Sequence, residues 1–451
     1  MKSLDLVIRD AKVVTSTGLL TADIGIAEGK IAELGEYVPN GKETLDAEGL
    51  HIFPGVIDAH VHFNEPGRAD WEGIATGSAA IAAGGGTMFF DMPLNSHPPT
   101  TTASFFKQKL AVAEKQSLVD FALWGGLVPQ NLDKLEELAG CGVIGFKAFM
   151  SASGIHEFQS VDDTTLRKGM KKAAALKLPV AVHAESDKMT NELAQQAITK
   201  KKTGIRDYLD SRPIKAELDA IRRAIAIAEE TACCLHVVHV SSAAGVQLIT
   251  DSRRKGFDIT AETCPHYLTL TDKDVEKLGA VAKCAPPLRS AKEQKELWKE
   301  FMAGSITTIG SDHSPAPPDM KQSEDFFQVW GGISGAQHLL SLLITQGHFE
   351  RKAGLELLAR LTSANVAKRF NLPKEKGDIA VGCDADLALV NLGTNFEVRA
   401  EALFYRHKQS PYVGQRLQGL VKRTFLRGQT IFQDGKIVGK PMGKFIRPSS
   451  E

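Results

Sequence analysis

Eight short apolar runs, separated by longer stretches of helical character, divide the middle of the chain. One of these stretches, Ala216–Ala232, has its apolar residues at helical spacing. Strand followed by helix, eight times over, is typical of a (β/α)8 TIM barrel, so we predict an α/β fold of that kind. The eight predicted strands lie near Val56, Met88, Phe121, Val143, Val180, Leu235, Ile259 and Ile306.

The two ends of the chain share a different pattern. Asp23–Ile31 alternates around a Glu-Gly turn, and Gly377–Val390 and Thr424–Val438 repeat short strands with Gly and Asp-Gly turns. Neither end is long enough to form a stable domain alone. We therefore predict two domains, with residues 51–376 in the barrel and residues 1–50 plus 377–451 in one small β-sandwich.

Composition excludes several classes of protein. The 54 Lys and Arg residues balance the 54 Asp and Glu residues, whereas a nucleic-acid binder or a polybasic membrane anchor usually has a basic excess. No apolar run reaches the ~20 residues of a membrane span, and the first ten residues contain no signal-peptide core. We expect a cytoplasmic protein with no nucleic-acid or membrane partner. Its six cysteines form no CxxC pair, which predicts buried free thiols.

Side chains that bind metals recur where the apolar runs end. In a TIM barrel the active site lies at the carboxyl ends of the strands. The first run ends with two histidines that are two residues apart, so both point to the same side of a strand. The pattern indicates a metal site at the mouth of the barrel. The candidate ligands are His60, His62, Lys147, His183, His239 and Asp312.

Two other histidines face away from this group if strand alternation continues. His236 lies three residues before His239, and His313 directly follows Asp312. We therefore expect His236 to be a structural histidine outside the barrel.

A lysine among these candidates requires an explanation. One catalytic zinc ion usually takes three protein ligands and a water, so five ligands and a lysine indicate two metals in one site. Two dications would repel a protonated Lys147. The neutral amine could instead add carbon dioxide and form a carbamate, which could bridge two metals as a glutamate would. The alternative is a lysine that extends to the rim of the barrel.

The motifs around these residues resemble those of the cyclic amidohydrolase branch of the amidohydrolase superfamily, and the similarity covers nearly the whole chain. The resemblance implies that the six candidates are the metal ligands, with Lys147 as N6-carboxylysine formed from CO2. It also implies two divalent ions, usually zinc with cobalt or manganese possible, and a homotetramer. The motifs are PGVIDAHVHF (Pro54–Phe63), GFKAFM (Gly145–Met150), VHAE (Val182–Glu185), HVSS (His239–Ser242), ETCPHYL (Glu262–Leu268), APPLR (Ala285–Arg289), GSDHSP (Gly310–Pro315) and KGDIAVGCDADL (Lys376–Leu387).

Three groups of enzymes within this branch differ in their motifs. Dihydroorotases typically have an Arg and a second His where this chain has Asn64 and Ala316. Hydantoinases, or dihydropyrimidinases, usually lack the EPGR segment Glu65–Arg68. Asp91–Thr100 (DMPLNSHPPT) and Phe326–Gln337 (FFQVWGGISGAQ) are similar to allantoinases.

The resemblance therefore implies hydrolysis of the hydantoin-ring amide of allantoin to allantoate, a step of purine degradation. Two metals would lower the pKa of the attacking water from ~15.7 to around 7, and Asp312 would pass its proton to the leaving nitrogen. By family analogy, Asn64, Asn95 and the loops near Ala285 and Gly332 contact the substrate. The alternatives are a hydantoinase or dihydroorotase, or a metal-free scaffold, which the complete ligand set disfavours.

Overall fold

Both ends of the chain contribute strands to one sheet, as a computed structural model that describes residues 3–449 shows. Its strand order is β18-β17-β16-β15-β5-β1-β2-β3, and β4 pairs with β1. These strands are β1 (Leu6–Val14), β2 (Leu19–Ala27), β3 (Lys30–Gly35), β4 (Glu43–Asp46), β5 (His51–Pro54), β15 (Leu387–Glu397), β16 (Arg416–Leu426), β17 (Gln429–Gln433) and β18 (Lys436–Ile437).

The terminal sheet has the architecture expected from the turn residues. Glu28 and Gly29, with φ of 53° and 78°, connect β2 to β3, as the Glu-Gly turn predicts. Ile24 of β2 and Phe425 of β16 belong to one buried apolar cluster, and Gly428 after β16 packs against Ile26 of β2. Strand β5 pairs with both β1 and β15 and so joins the two ends of the chain. The division into residues 51–376 and the two ends stays a prediction.

Eight parallel strands form the barrel and confirm the predicted fold class. The third is split into β8 and β9, which pair with β7 and β10 respectively. The barrel closes where Val61 forms a bridge with His313 and the His62 amide donates to the His313 carbonyl oxygen (2.8 Å). The strands are β6 (Val56–Val61), β7 (Gly86–Asp91), β8 (Asp120–Leu123), β9 (Gly125–Gly126), β10 (Phe146–Phe149), β11 (Val180–His183), β12 (Leu235–Val237), β13 (Ile259–Thr263) and β14 (Thr308–Ile309).

Helices surround the barrel and cover one set of strand side chains. On β11, Val180 and Val182 pack in the outer cluster with helical residues, and Ala181 packs in the inner one. The predicted helix over Ala216–Ala232 is confirmed as α7. The helices are α1 (Ile74–Ala83), α2 (Ala103–Gln116), α3 (Leu135–Cys141), α4 (Asp163–Ala175), α5 (Asp187–Thr199), α6 (Ile205–Asp210), α7 (Ile214–Thr231), α8 (Ala243–Arg254), α9 (Pro265–Thr269), α10 (Asp272–Leu278), α11 (Ala291–Met302), α12 (Leu339–Leu343), α13 (Leu355–Ala359) and α14 (Asn365–Arg369).

The six cysteines and the helices all lie within residues 3–449, the described part of the chain. All six cysteines are free, as predicted, but Cys141 and Cys234 are half-buried rather than buried. Within these residues, no helix combines the length and apolar character that crossing a membrane requires.

Candidate active site

The six predicted ligands meet at one end of the barrel. Lys147 lies on β10 and His183 is the last residue of β11, so both are placed by strand geometry. His60 lies near the end of β6, and the other three follow the ends of their strands. Lys147 lies buried, whereas the others line one cavity of about 400 Å³. The cavity-lining members are His60, His62, His183, His239 and Asp312.

Short distances connect the nitrogen and oxygen atoms of this group. Asp312 Oδ1 lies 3.3 Å from Nε2 of both His60 and His62. His183 Nδ1 lies 3.1 Å from His239 Nε2. One ligand atom each from His60, His239 and Asp312 lies within 4.8 Å of the other two, which is close enough for one cation to contact all three. The barrel mouth therefore contains a candidate His/Asp metal site.

Backbone geometry at two of these residues shows why strand alternation does not predict their direction. His239 and Asp312 have φ of 42° and 46°, in the left-handed region that non-glycine residues rarely adopt. Strand β12 ends at Val237 and β14 ends at Ile309, so both residues lie beyond regular strand.

The prediction that His236 lies outside the barrel is wrong. Its Nδ1 lies 2.8 Å from Thr260 Oγ1, and its Nε2 lies 3.4 Å from a carboxylate oxygen of Glu262 inside the barrel. Both His236 and His239 reach the interior because the strand ends between them. His236 is a buried structural histidine, and it does not line the cavity.

Two glutamates that sequence reasoning did not single out orient the histidines. His60 Nδ1 donates to Glu262 Oε1 (2.8 Å), and His183 Nε2 donates to Glu185 Oε2 (2.9 Å). A proton held on the far nitrogen leaves the other ring nitrogen free to bind a metal. Arg212 pairs with Glu185 and, despite burial, lowers the pKa of that carboxyl to about 2. The available signal was a glutamate within each of the motifs VHAE and ETCPHYL.

Burial also favours the neutral forms of the nitrogen atoms among the candidate ligands. It lowers the pKa values of His60, His183 and His239, since a charged imidazole loses its hydration there. Burial lowers the pKa of Lys147 to about 8, although the charges of Asp312 and Glu262 act to raise it. The Lys147 Nζ atom has no hydrogen-bond partner among the residues described. This amine is therefore suited to losing its charge.

The predicted substrate contacts fall in different places. Asn95, Ala285 and Gly332 line the cavity, but Asn64 does not. Asn64 is completely buried, and its Nδ2 donates to the Pro315 carbonyl oxygen at 3.4 Å. The side chain of Asn95 therefore reaches the cavity directly, whereas that of Asn64 lies behind the cavity wall.

Comparison with known proteins gives matches along the whole chain. The amidohydrolase family profile matches residues 51–431. Allantoinases of Deinococcus radiodurans and Rubrobacter xylanophilus are 54% and 53% identical to this chain. The first alignment covers 99% of this chain and 100% of the relative, and the second covers 100% of this chain and 99% of the relative. The solved structure of the L-hydantoinase (dihydropyrimidinase) from Arthrobacter aurescens matches with a TM-score of 0.95 at 33% identity, over 98% of this chain and 100% of that one.

These matches decide between the interpretations of the motifs. The full-length allantoinase relatives confirm the prediction of an allantoinase rather than a scaffold or a dihydroorotase. The hydantoinase shares the barrel and β-sandwich architecture and represents a related group. The family is metal-dependent, in agreement with the cluster of His60, His239 and Asp312. The chain therefore belongs to the amidohydrolase family, as a hydrolase of carbon–nitrogen bonds in cyclic amides.

Proposed function

We propose that the protein hydrolyses the hydantoin-ring amide of allantoin to allantoate with two divalent metal ions, zinc in the first instance and cobalt or manganese as alternatives. The observation that carries the proposal is the convergence of His60, His239 and Asp312 in a cavity at the carboxyl ends of the barrel strands. Metals bound there would lower the pKa of a water and polarise the ring carbonyl.

The four histidines and Asp312 of the candidate site form two groups of neighbours. His60 and His62 both lie beside Asp312 Oδ1, and His183 lies beside His239. We propose that these five side chains hold the two metals. The unpartnered Lys147 amine supports a carbamate, formed from CO2, that would help to hold the metals through its oxygens.

Asp312 is the residue that we propose to move the proton. Its side chain is 13% exposed, toward the cavity, and its Oδ1 already contacts two ligand histidines. A carboxylate in this position can accept a proton from the attacking water and deliver it to the leaving ring nitrogen. The same residue would therefore serve as base and then as acid.

The cavity is suited to a neutral substrate. Its arginine and its lysine already have partners, because Arg212 pairs with Glu185 and Lys283 Nζ donates to the Phe326 carbonyl oxygen (2.6 Å). A substrate carboxylate, as in dihydroorotate, would lose hydration without a free cation in return. Allantoin is neutral, and its ureido arm matches an amide such as Asn95, which both donates and accepts.

We assign the remaining contacts by their position. Ala285 and Gly332 face the substrate across the cavity, and Asn64 acts through the carbonyl of Pro315. The homotetramer implied by the family resemblance and the cytoplasmic location expected from the sequence belong to the same proposal. Light scattering of purified protein should give about four times the mass of one chain.

Parallel turnover assays on allantoin, hydantoin, dihydrouracil and dihydroorotate test the function. We expect kcat/KM for allantoin to exceed that for dihydroorotate by at least about a thousandfold, since a site built on specific hydrogen bonds rejects mismatched substrates strongly. Asp312→Asn protein, purified in parallel, controls for contaminating hydrolases. Comparable turnover of the two substrates would contradict the proposal, as would active protein without divalent metal.

A further inference from the structure

One wall of the cavity has neither helix nor strand. Residues 322–332 follow the helical turn Pro318–Lys321, and Phe327–Gly332 face the cavity. Its backbone amides bond to scattered partners rather than to a neighbouring strand: that of Phe326 donates to the Thr203 carbonyl oxygen (2.8 Å) and that of Trp330 to the Met320 carbonyl oxygen (2.9 Å). Side chains that bind the carbonyl oxygens of this wall therefore help to fix its conformation.

Lys283 binds this wall from beneath. Its side chain is buried, and its Nζ donates to the carbonyl oxygens of Phe326 (2.6 Å) and Val329. The same nitrogen lies 4.4 Å from the centre of the Tyr208 ring, a distance that favours a cation. The Lys283 carbonyl oxygen in turn accepts from the amide of Gly332 (2.7 Å).

Lys321 binds the other end of the same wall. Its Nζ donates to the carbonyl oxygens of Gly332 (2.8 Å), Trp330 (2.9 Å) and Ala280 (3.3 Å). Together the two lysines satisfy four carbonyl oxygens of residues 326–332. Burial lowers the pKa of both amines to about 7, and each hydrogen bond is stronger in the charged form than in the neutral one.

The C-terminal end of the wall, at Gly332, lies close to the segment that carries Asp312. Gly332 has φ of 150°, and a Cβ there would lie 2.1 Å from the Ser314 carbonyl oxygen, two residues from Asp312. Phe327–Gly332 lines the cavity together with Leu94–Asn95 and Ala152–Gly154. Because Asp312 lines the same cavity, a ring held beside Asp312 has this wall within reach of its substituent.

We propose that Lys283 and Lys321 are positioning residues that determine substrate specificity: they hold residues 326–332 in the conformation that encloses the ureido arm of the ring. The inference rests on the proposed function, because it concerns the arm that distinguishes allantoin from hydantoin. Neither lysine is part of the metal-ligand group, so removing one should change recognition of the arm more than the chemistry of the ring.

The variants Lys283→Met and Lys321→Met test this inference, with the exposed Lys292→Met as the matched control. In each test variant, we expect kcat/KM for allantoin to fall about tenfold, mainly through KM, since a charged hydrogen bond is lost. Activity on hydantoin should stay within about twofold and the thermal midpoint within about 3 °C, because the wall alone is affected. Amide hydrogen exchange should accelerate in residues 322–332, with metal content unchanged.

Several outcomes would overturn the inference. Equal losses on allantoin and hydantoin would show a general effect on the site rather than recognition of the ureido arm. Unchanged kcat/KM for both substrates would show that the lysines do not position the wall for that recognition. Variants that fail to fold would also contradict it, because the proposed effect is local. A wild-type protein that hydrolyses hydantoin but not allantoin would instead contradict the proposed function, and the exchange measurement would then still report whether the lysines order the wall.

Discussion

Lys147 and Lys376 are both buried, but they lie in opposite surroundings at opposite ends of the barrel. Lys376 Nζ contacts Asp120 (2.6 Å) at the start of β8, Asp386 (2.7 Å) and Asp384 (2.9 Å). Burial lowers the pKa of Lys376, but Asp386 and Asp120 outweigh it and raise the pKa above its usual value. Burial dominates at Lys147, whose pKa falls to about 8.

The comparison separates two uses of a buried charge. The cluster around Lys376 joins the barrel to the terminal sheet, and Arg427 of the sheet also pairs there with Asp120 (2.6 Å). Its ammonium group is stabilised in place by three carboxylates. The Lys147 amine lacks such partners among the described residues, so it remains available for a covalent change or a metal. Burial with full pairing indicates a structural role, whereas an unpaired buried amine among converging histidines and an aspartate is available for chemistry.

The largest effect should follow from removing Lys147. We expect Lys147→Ala to lose metal and at least about a thousandfold in kcat, since the metals supply several kcal/mol of catalysis. Elemental analysis and turnover of allantoin measure the two losses, with the exposed Lys168→Ala as control. Short carboxylic acids should partly restore both properties of the variant by supplying the missing oxygens. A fully active Lys147→Ala protein would refute the assignment.

Removing Lys376 should affect stability rather than chemistry. We expect Lys376→Met to lower the free energy of unfolding by about 3–5 kcal/mol, because buried Asp386 loses its ammonium partner and buried Asp120 keeps only Arg427. Lys422→Met, which breaks the exposed pair with Asp434, should cost less than about 1 kcal/mol. Urea denaturation measures both. Activity per bound metal should stay unchanged in the folded variant, and a selective loss of kcat would contradict the division between the two clusters.

The pH dependence of the Lys376 cluster has a defined sign. Because the folded-state pKa is raised, its stabilisation is complete below the usual value of 10.5 and is lost only as pH rises above it. The difference in unfolding free energy between wild type and Lys376→Met should therefore stay constant from pH 6 to pH 9, at the value expected for complete loss of the Lys376 interactions.

A buried histidine provides the smallest and most discriminating test. His338 is 6% exposed, its Nδ1 has no partner among residues 3–449, and burial lowers its pKa to about 4. Because the unfolded chain binds a proton more readily, His338 should reduce stability as pH falls from 6.5 toward 4. Between pH 7 and pH 5, wild type should lose about 1–2 kcal/mol more than His338→Phe.

The surface variant His156→Phe controls for the remaining histidines. An equal acid loss in wild type and His338→Phe would show that burial at this position does not control the protonation of the ring. The expected result would add a third case to the comparison of the two lysines, namely a buried group that has no partner and no role in the chemistry. A buried group without a partner contributes to chemistry only where other reactive groups converge on it, as they do around Lys147.

Local pattern was sufficient for the architecture and for placing most of the candidate residues at one end of the barrel. Strand alternation places His60 on the interior side of β6, and the apolar run around Lys147 marks β10. These inferences succeed because side-chain direction repeats every two residues within a strand. The same rule fails for His236, because β12 ends at Val237 and His239 has positive φ. Beyond the end of a strand, the two-residue alternation no longer predicts the direction of a side chain.

The chain order of apolar and polar residues determined the barrel, the terminal sheet and the positions of the candidate ligands, because these follow from backbone geometry and burial. Only the tertiary structure decided which distant groups pair. Glu262 reaches His60 across 202 positions, and Lys376 reaches Asp120 across 256. The protonated nitrogen of a ligand histidine and the charge of a buried lysine depend on such partners, since in a low-dielectric interior the nearest charge or hydrogen bond dominates.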